Sequence, residues 1–95
     1  MAAMLKALWG RLLGRETAEG GGEAIEHEGF RIRPTPYRRM GQYQTCGVIE
    51  KMVAGEHKEH RFVRAEMHPS RSAAIELSIA KGRQLIDEQG ERLFG

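Results

Sequence analysis

Apolar and polar residues alternate in three stretches of the chain, with the spacing of two that is typical of half-buried β-strands. The stretches are residues 24–34, 42–53 and 56–67. In the first stretch Phe30 and Ile32 alternate with arginines, and Gly29 indicates a bulge or a turn. The second and third stretches are joined at Ala54 and Gly55, where the chain must reverse tightly. The pattern therefore predicts a three-stranded antiparallel meander.

Prolines mark the ends of the predicted strands. Pro34 and Pro36 end the first strand, because proline has no backbone N–H to donate to a ladder and restricts the residue before it. Residues 37–41 are therefore predicted to form a loop. His68 and Pro69 break the third strand before the pattern changes to a helical period.

A single helix is predicted to follow the strands. Ser70 is a suitable N-cap, and Gly90 stands where a left-handed C-cap is expected. Gly82 lies within the apolar stripe, which indicates that helix and sheet approach closely there. Leu93 and Phe94 are predicted to fold back onto the core. The residues that share the packed face are Ala74, Ile75, Ser78, Ile79, Gly82, Leu85 and Ile86.

Both faces of the predicted sheet carry apolar residues. On the second strand Tyr43, Ile49 and Val53 alternate with Cys46, Val48 and Met52, and on the third Phe62 is opposed to Val63 and Ala65. One helix covers only one face of a sheet, so the other face needs a second cover. The two candidates are an N-terminal helix and a second subunit.

The N-terminal segment has the pattern of an amphipathic helix. Its apolar stripe consists of Met4, Leu5, Leu8, Trp9, Leu12 and Leu13. Three glycines, Gly20 to Gly22, follow it as a flexible linker. We therefore predict an α+β protein with a helix at 1–15, a linker at 16–22 and a βββα domain at 23–95.

A helix of about a dozen residues is marginal in water, so its stripe is expected to be buried. It has three possible contacts: the domain's own sheet, a partner protein, or the surface of a membrane. The residues predicted to make this contact are Leu5, Leu8, Trp9 and Leu12.

Composition limits the compartment and the partners. The chain has 95 residues, enough for one domain, and carries 15 Lys and Arg against 13 Asp and Glu. The lone Cys46 excludes an internal disulfide framework and fits a reducing compartment, so a cytoplasmic location is expected. Six arginines are candidates for contact with a nucleic acid or another anion, namely Arg31, Arg33, Arg38, Arg39, Arg61 and Arg64. Glutamates from the same strands oppose this, and no helix-turn-helix is visible.

No catalytic, cofactor-binding or metal-binding residues are predicted, and the protein is not expected to be an enzyme. His57 and His60 lie three residues apart on a predicted strand, where they point to opposite faces and cannot chelate one ion. Cys46 on an apolar strand face is typical of inert packing.

Four strings carry a resemblance to a known family: GFRIRPTP, GQYQTCGVIEK, KEHRFVRAE and KGRQLIDEQGERLFG. Together they run from about Glu23 to Phe94, and the chain resembles the small bacterial family labelled HlyU, whose members are described as transcriptional activators. The resemblance implies a non-enzymatic regulatory protein. The alternative is an adaptor or structural protein whose N-terminal helix binds a partner protein or the inner membrane surface. DNA, a homodimer or an unknown protein partner are the expected partners.

Overall fold

A computed structural model describes residues 22–95. The predicted N-terminal helix at 1–15 and most of the linker at 16–22 lie outside these residues, so both stay predictions. No helix in the described part of the chain is long and apolar enough to cross a membrane.

The described residues form one antiparallel sheet followed by one long helix. The elements are β1 Ile25–His27, β2 Phe30–Pro34, β3 Tyr37–Arg39, β4 Gln42–Val53, β5 Glu56–His68, α1 Arg71–Gln89 and a 3₁₀ helix at Gly90–Phe94. The α+β class and the C-terminal helix are confirmed. The prediction of three strands is wrong, because the sheet has five.

Two of the five strands were missed for different reasons. The first predicted strand divides at Glu28 and Gly29, which form a two-residue turn between β1 and β2. Tyr37–Arg39, predicted as a loop, forms β3 and pairs with β4 in the same register as β2. The register with β4 continues across Pro34 and Pro36, because the backbone N–H of Thr35 between them donates to the carbonyl of Cys46 at 2.9 Å.

Three two-residue turns determine the order of the strands. Each pairs one residue with a glycine: Glu28 with Gly29, Met40 with Gly41, and Ala54 with Gly55. All six have positive φ, as type I′ hairpin turns require at both central positions. The strands therefore follow one another as β1, β2 with β3 in line, β4 and β5, and within residues 22–95 β5 pairs only with β4.

The turn at Met40 and Gly41 gives two predictions for the stability of the fold, with opposite signs. Met40 is 89% exposed with a φ of 54°, a conformation that asparagine adopts more readily, so Met40→Asn should stabilise the fold by about 0.5–1 kcal/mol. Gly41→Ala should destabilise it by about 1 kcal/mol through backbone strain alone, since no atom lies within 4 Å of the added Cβ. Urea unfolding measures both, and the same sign for the two variants would contradict this reading of the turn.

The core lies between one face of the sheet and α1. Because Ile32 pairs with Ile49, and both belong to the buried cluster, their side chains define the face that we call the core face. Phe94 of the 3₁₀ helix stacks on Phe30 of the same face, with ring centroids 6.0 Å apart. The predicted return of the C-terminus onto the core is confirmed. The cluster consists of Phe30, Ile32, Ile49, Phe62, Leu85, Ile86 and Leu93.

The predicted N-cap and the end of α1 are confirmed. Ser70 caps its N-terminus by accepting from the N–H of Ala73 at 3.2 Å. Gly90 ends it with a positive φ of 55°, but its ψ of −136° lies outside the left-handed helical region, so the predicted left-handed form of the cap is wrong. A Cβ added at Gly82 would lie 2.7 Å from Cγ2 of Ile32, so helix and sheet meet there more closely than any side chain allows.

A buried serine joins α1 to an irregularity in the sheet. The register between β4 and β5 shifts between Gln44 and Cys46. The N–H of Cys46 donates instead to Oγ of Ser78 at 3.1 Å, and that hydroxyl donates to the carbonyl of Ala74. Ser78 is fully buried, so it satisfies a backbone group that the bulge leaves without a ladder partner.

Candidate functional site

The surface of the sheet opposite α1 carries a cluster of charged and polar side chains. Side chains alternate along each strand, so the neighbours of the core residues point to this second surface, which we call the far face. Its central residues are Glu26, Arg31, Arg33, Cys46, Val48, Glu50, Met52, His57, Glu59, Arg61 and Val63.

A buried ion pair occupies the centre of the far face. Nη2 of Arg33 donates to Oε1 of Glu50 at 3.2 Å, and Nε of Arg33 donates to Oε2 at 3.5 Å. Both side chains are 1% exposed. The register places them diagonally on β2 and β4, where long side chains still reach one another. The pair neutralises two charges that would be costly to bury separately.

A histidine completes this cluster. Nε2 of His57 donates to Oε1 of Glu50 at 3.2 Å, and the side chain of His57 is 25% exposed. Glu50 therefore has partners from both neighbouring strands. Glu50 is thus buried and paired within the sheet and is not a solvated residue of the hairpin. The signal that could have found it is the alternation itself, because Glu50 shares its face with Val48 and Met52.

The same cluster offers three metal-type ligands. Ligand atoms of Glu50, His57 and Glu59 all lie within 4.8 Å of one another. The carboxylate of Glu50 is already held at both oxygens by the guanidinium of Arg33, whose positive charge opposes a divalent cation at that place. His60, predicted to point away from His57, pairs with Ile49 and so faces the core side. The arrangement is that of a structural polar cluster.

Nucleophilic chemistry has no support in this geometry. Cys46 lies four residues from Glu50 on β4, a separation of about 13 Å along a strand. Its sulfur accepts a hydrogen bond from Oγ1 of Thr35 at 3.4 Å. A base within hydrogen-bond reach of the thiol, which an activated cysteine requires, is therefore not supplied by the Glu50 and His57 pair.

The structure does not bring the six candidate arginines into one patch. Arg31, Arg33 and Arg61 lie on the far face, and Arg39 is exposed at the end of β3. Arg38 pairs with Tyr43 on the core side of the sheet, and Arg64 lies at the irregular part of β5, which has no register partner on β4.

Cζ of Arg38 lies 5.8 Å from the centroid of the Tyr43 ring. Nε of Arg64 is buried and has no hydrogen-bond partner among the described residues. Arg31 forms an ion pair with Glu26 at 3.3 Å. Opposite charges therefore accompany the arginines of the far face. The candidate contact residues of the N-terminal helix, Leu5, Leu8, Trp9 and Leu12, lie outside the described residues.

Comparison with known proteins gives one family. No curated protein and no solved structure matches the chain. The family described as "Transcriptional activator HlyU" matches residues 4–94, which covers nearly the whole chain and includes the N-terminal segment. The description concerns regulation of transcription and names no reaction. The chain therefore belongs to the HlyU family.

Proposed function

We propose that this protein regulates transcription as a non-catalytic binding protein, and that it acts by contacting another protein and not by reading DNA bases. The family description supports the first half. The second half rests on one observation: Arg33, at the centre of the candidate arginines, is 1% exposed and bound to Glu50 at both of its carboxylate oxygens. Its charge is therefore already satisfied within the fold.

The long helix lacks the features of a groove reader. A recognition helix places its side chains in the major groove after a tight turn from another helix. α1 instead uses one face to pack on the sheet. Its exposed face mixes charges of both signs, namely Arg71, Arg83, Glu76, Asp87 and Glu88. Such a surface repels the phosphate backbone as much as it attracts it.

The sheet is equally poor as a reader of phosphate. Affinity for duplex DNA grows with the number of phosphates that cationic side chains neutralise. On the far face Arg31 is paired with Glu26, and Glu59 lies on the same surface as Arg61. The exposed arginines of the sheet, Arg38, Arg39 and Arg61, do not share one face. Mixed charge of this kind is suited to contact with a protein surface.

Deletion of the gene, followed by RNA sequencing and complementation, tests the proposal. We expect a defined set of transcripts to change on deletion and to return with the wild-type gene. The variant Arg38→Gln/Arg39→Gln/Arg61→Gln should restore them equally well. A labelled duplex of about 25 base pairs from the most affected promoter should bind the purified protein no more tightly than a scrambled duplex, with a dissociation constant of about 1 µM or weaker at physiological salt.

Two results would overturn parts of this proposal separately. An unchanged set of transcripts in the deletion strain would remove the regulatory role. Binding to the promoter duplex about a thousandfold tighter than to the scrambled one, lost in the triple variant, would show direct reading of DNA. The alternative function, an adaptor attached through its N-terminal helix, is decided by the experiment on Trp9 below.

A further inference from the structure

The far face is more deeply buried than its described neighbours explain. Val48 is fully buried and Arg33 is 1% exposed. Yet α1 lies on the core face, as the contact of Gly82 with Ile32 shows, and the 3₁₀ helix lies there too. Within residues 22–95 no helix packs on the far face, although the side chains at its centre are as little exposed to solvent as those of the core.

The buried part of the far face has the shape of a narrow strip. Arg33, Val48 and Glu50, on β2 and β4, are buried, whereas Val63 on β5 is 58% exposed. Glu59 and Arg61 on β5 are exposed as well. Two neighbouring strands lie about 5 Å apart, and a helix with its side chains is about 10 Å wide. One helix lying across β2 and β4 matches this strip.

The described chain begins beside that strip. The N–H of Gly22 donates to the carbonyl of Pro34 at 3.2 Å, at the end of β2. Residues 16–22 can span up to about 23 Å when extended, and a helix of residues 4–15 is about 18 Å long. Gly22 continues the row of β1, the edge strand, and lies near Ile75 of α1. The chain that precedes Gly22 therefore has the length to turn around this edge of the sheet and lie on the far face.

The chemistry of the two surfaces is complementary. The stripe predicted for the N-terminal segment contains leucines and Trp9, and the strip contains Val48, with Cys46 and Met52 on the same strand and face. The linker carries Glu16 and Glu19, opposite in sign to the far-face arginines. The family model matches residues 4–94, so it spans the N-terminal segment and the sheet together.

We propose that residues 4–15 form a helix that packs on the far face over β2 and β4, with its apolar stripe on Val48. The segment thus completes the fold as a second layer. Its stripe is then not exposed to a membrane or to a second copy of the chain. The centre of the far face is likewise closed to DNA.

Two residues that occur once in the chain allow a direct test in the intact protein. Trp9 is the only tryptophan and reports on the segment, whereas Cys46 is the only cysteine and reports on the far face. We expect Trp9 to be protected from acrylamide quenching. In Leu8→Glu we expect Trp9 to lose that protection and Cys46 to react with a thiol reagent about tenfold faster or more than in the wild type.

Ala7→Glu is the matched control. It adds the same charge one residue away, on the side of the predicted helix opposite the stripe, and should leave both readings at wild-type values. Circular dichroism should show that the described domain remains folded in both variants, because neither substitution lies within it.

Each other outcome overturns the proposal in a distinct way. Equal thiol rates in wild type and Leu8→Glu would mean that the segment does not cover the far face. Protection that depends on protein concentration, with a dimer mass by light scattering, would assign the cover to a second copy. Protection of Trp9 only after addition of phosphatidylglycerol vesicles, and flotation lost in Trp9→Glu, would assign the stripe to a membrane.

Discussion

Replacing Glu50 with alanine is expected to lower the free energy of unfolding by about 3–5 kcal/mol, because it removes the buried carboxylate that neutralises the buried charge of Arg33. His57 loses its acceptor in the same variant. Urea unfolding followed by circular dichroism measures the loss. A fall of the midpoint with an unchanged slope would show that stability, and not the compactness of either state, has changed.

An exposed ion pair on the same hairpin gives the matched control. Glu56 is 74% exposed in its side chain and lies 3.5 Å from Lys58, so Glu56→Ala should cost less than about 1 kcal/mol. The double variant Arg33→Met/Glu50→Leu should recover most of the loss of Glu50→Ala, because it removes both charges and keeps apolar volume. If Glu50→Ala cost no more than Glu56→Ala, the pair would be hydrated and our account of the far face would be wrong.

Replacing Gly82 with leucine is expected to destabilise the protein by about 3 kcal/mol, because the first added atom would lie 2.7 Å from Cγ2 of Ile32. Leucine is a good helix former, so the loss cannot come from helix propensity, which favours the variant by about 0.5–1 kcal/mol. Ile32 is fully buried, and its Cγ1 and Cδ1 lie 3.2 Å from the same point. The helix or the strand must therefore move, and thermal unfolding measures the resulting loss of stability.

Ala80→Leu is the control for Gly82→Leu, because Ala80 is on the exposed side of α1 and the change should be close to neutral. The pair with Ile32 can be tested further. Ile32→Ala alone should cost about 2–5 kcal/mol, and combining it with Gly82→Leu should cost less than the sum, since the new side chain enters the space released. Strict additivity would mean that the two residues do not share this contact.

A regulator built in this way differs from one that reads bases with a helix. α1 is committed to the core, and the arginines that sequence suggested as a patch are divided between two faces of the sheet. The central arginine serves the fold. Contact with another protein does not require any of these residues to reach DNA. The DNA titration and the complementation must therefore use the same variants, so that DNA binding and regulation can be compared directly.

Local features were predicted well because they depend on short stretches of chain. Ser70 as a cap, Gly90 as a helix end and the turn at Ala54 and Gly55 follow from backbone preferences of single residues. The β3 strand was missed because two prolines argue against a strand, whereas its pairing with β4 keeps the chain extended there. Such pairing involves residues that are not neighbours in sequence.

The sequence by itself determined the class of the fold, the position of α1, the close approach at Gly82 and the presence of two apolar faces, since periodicity and glycine placement act locally. Only the tertiary structure decided how the arginines are distributed and that Arg33 and Glu50 are a buried pair. The reason is register: one residue of slip would send every side chain of β2 to the other face. A charge in a strand is therefore a surface residue or a buried one according to what its neighbouring strands place beside it.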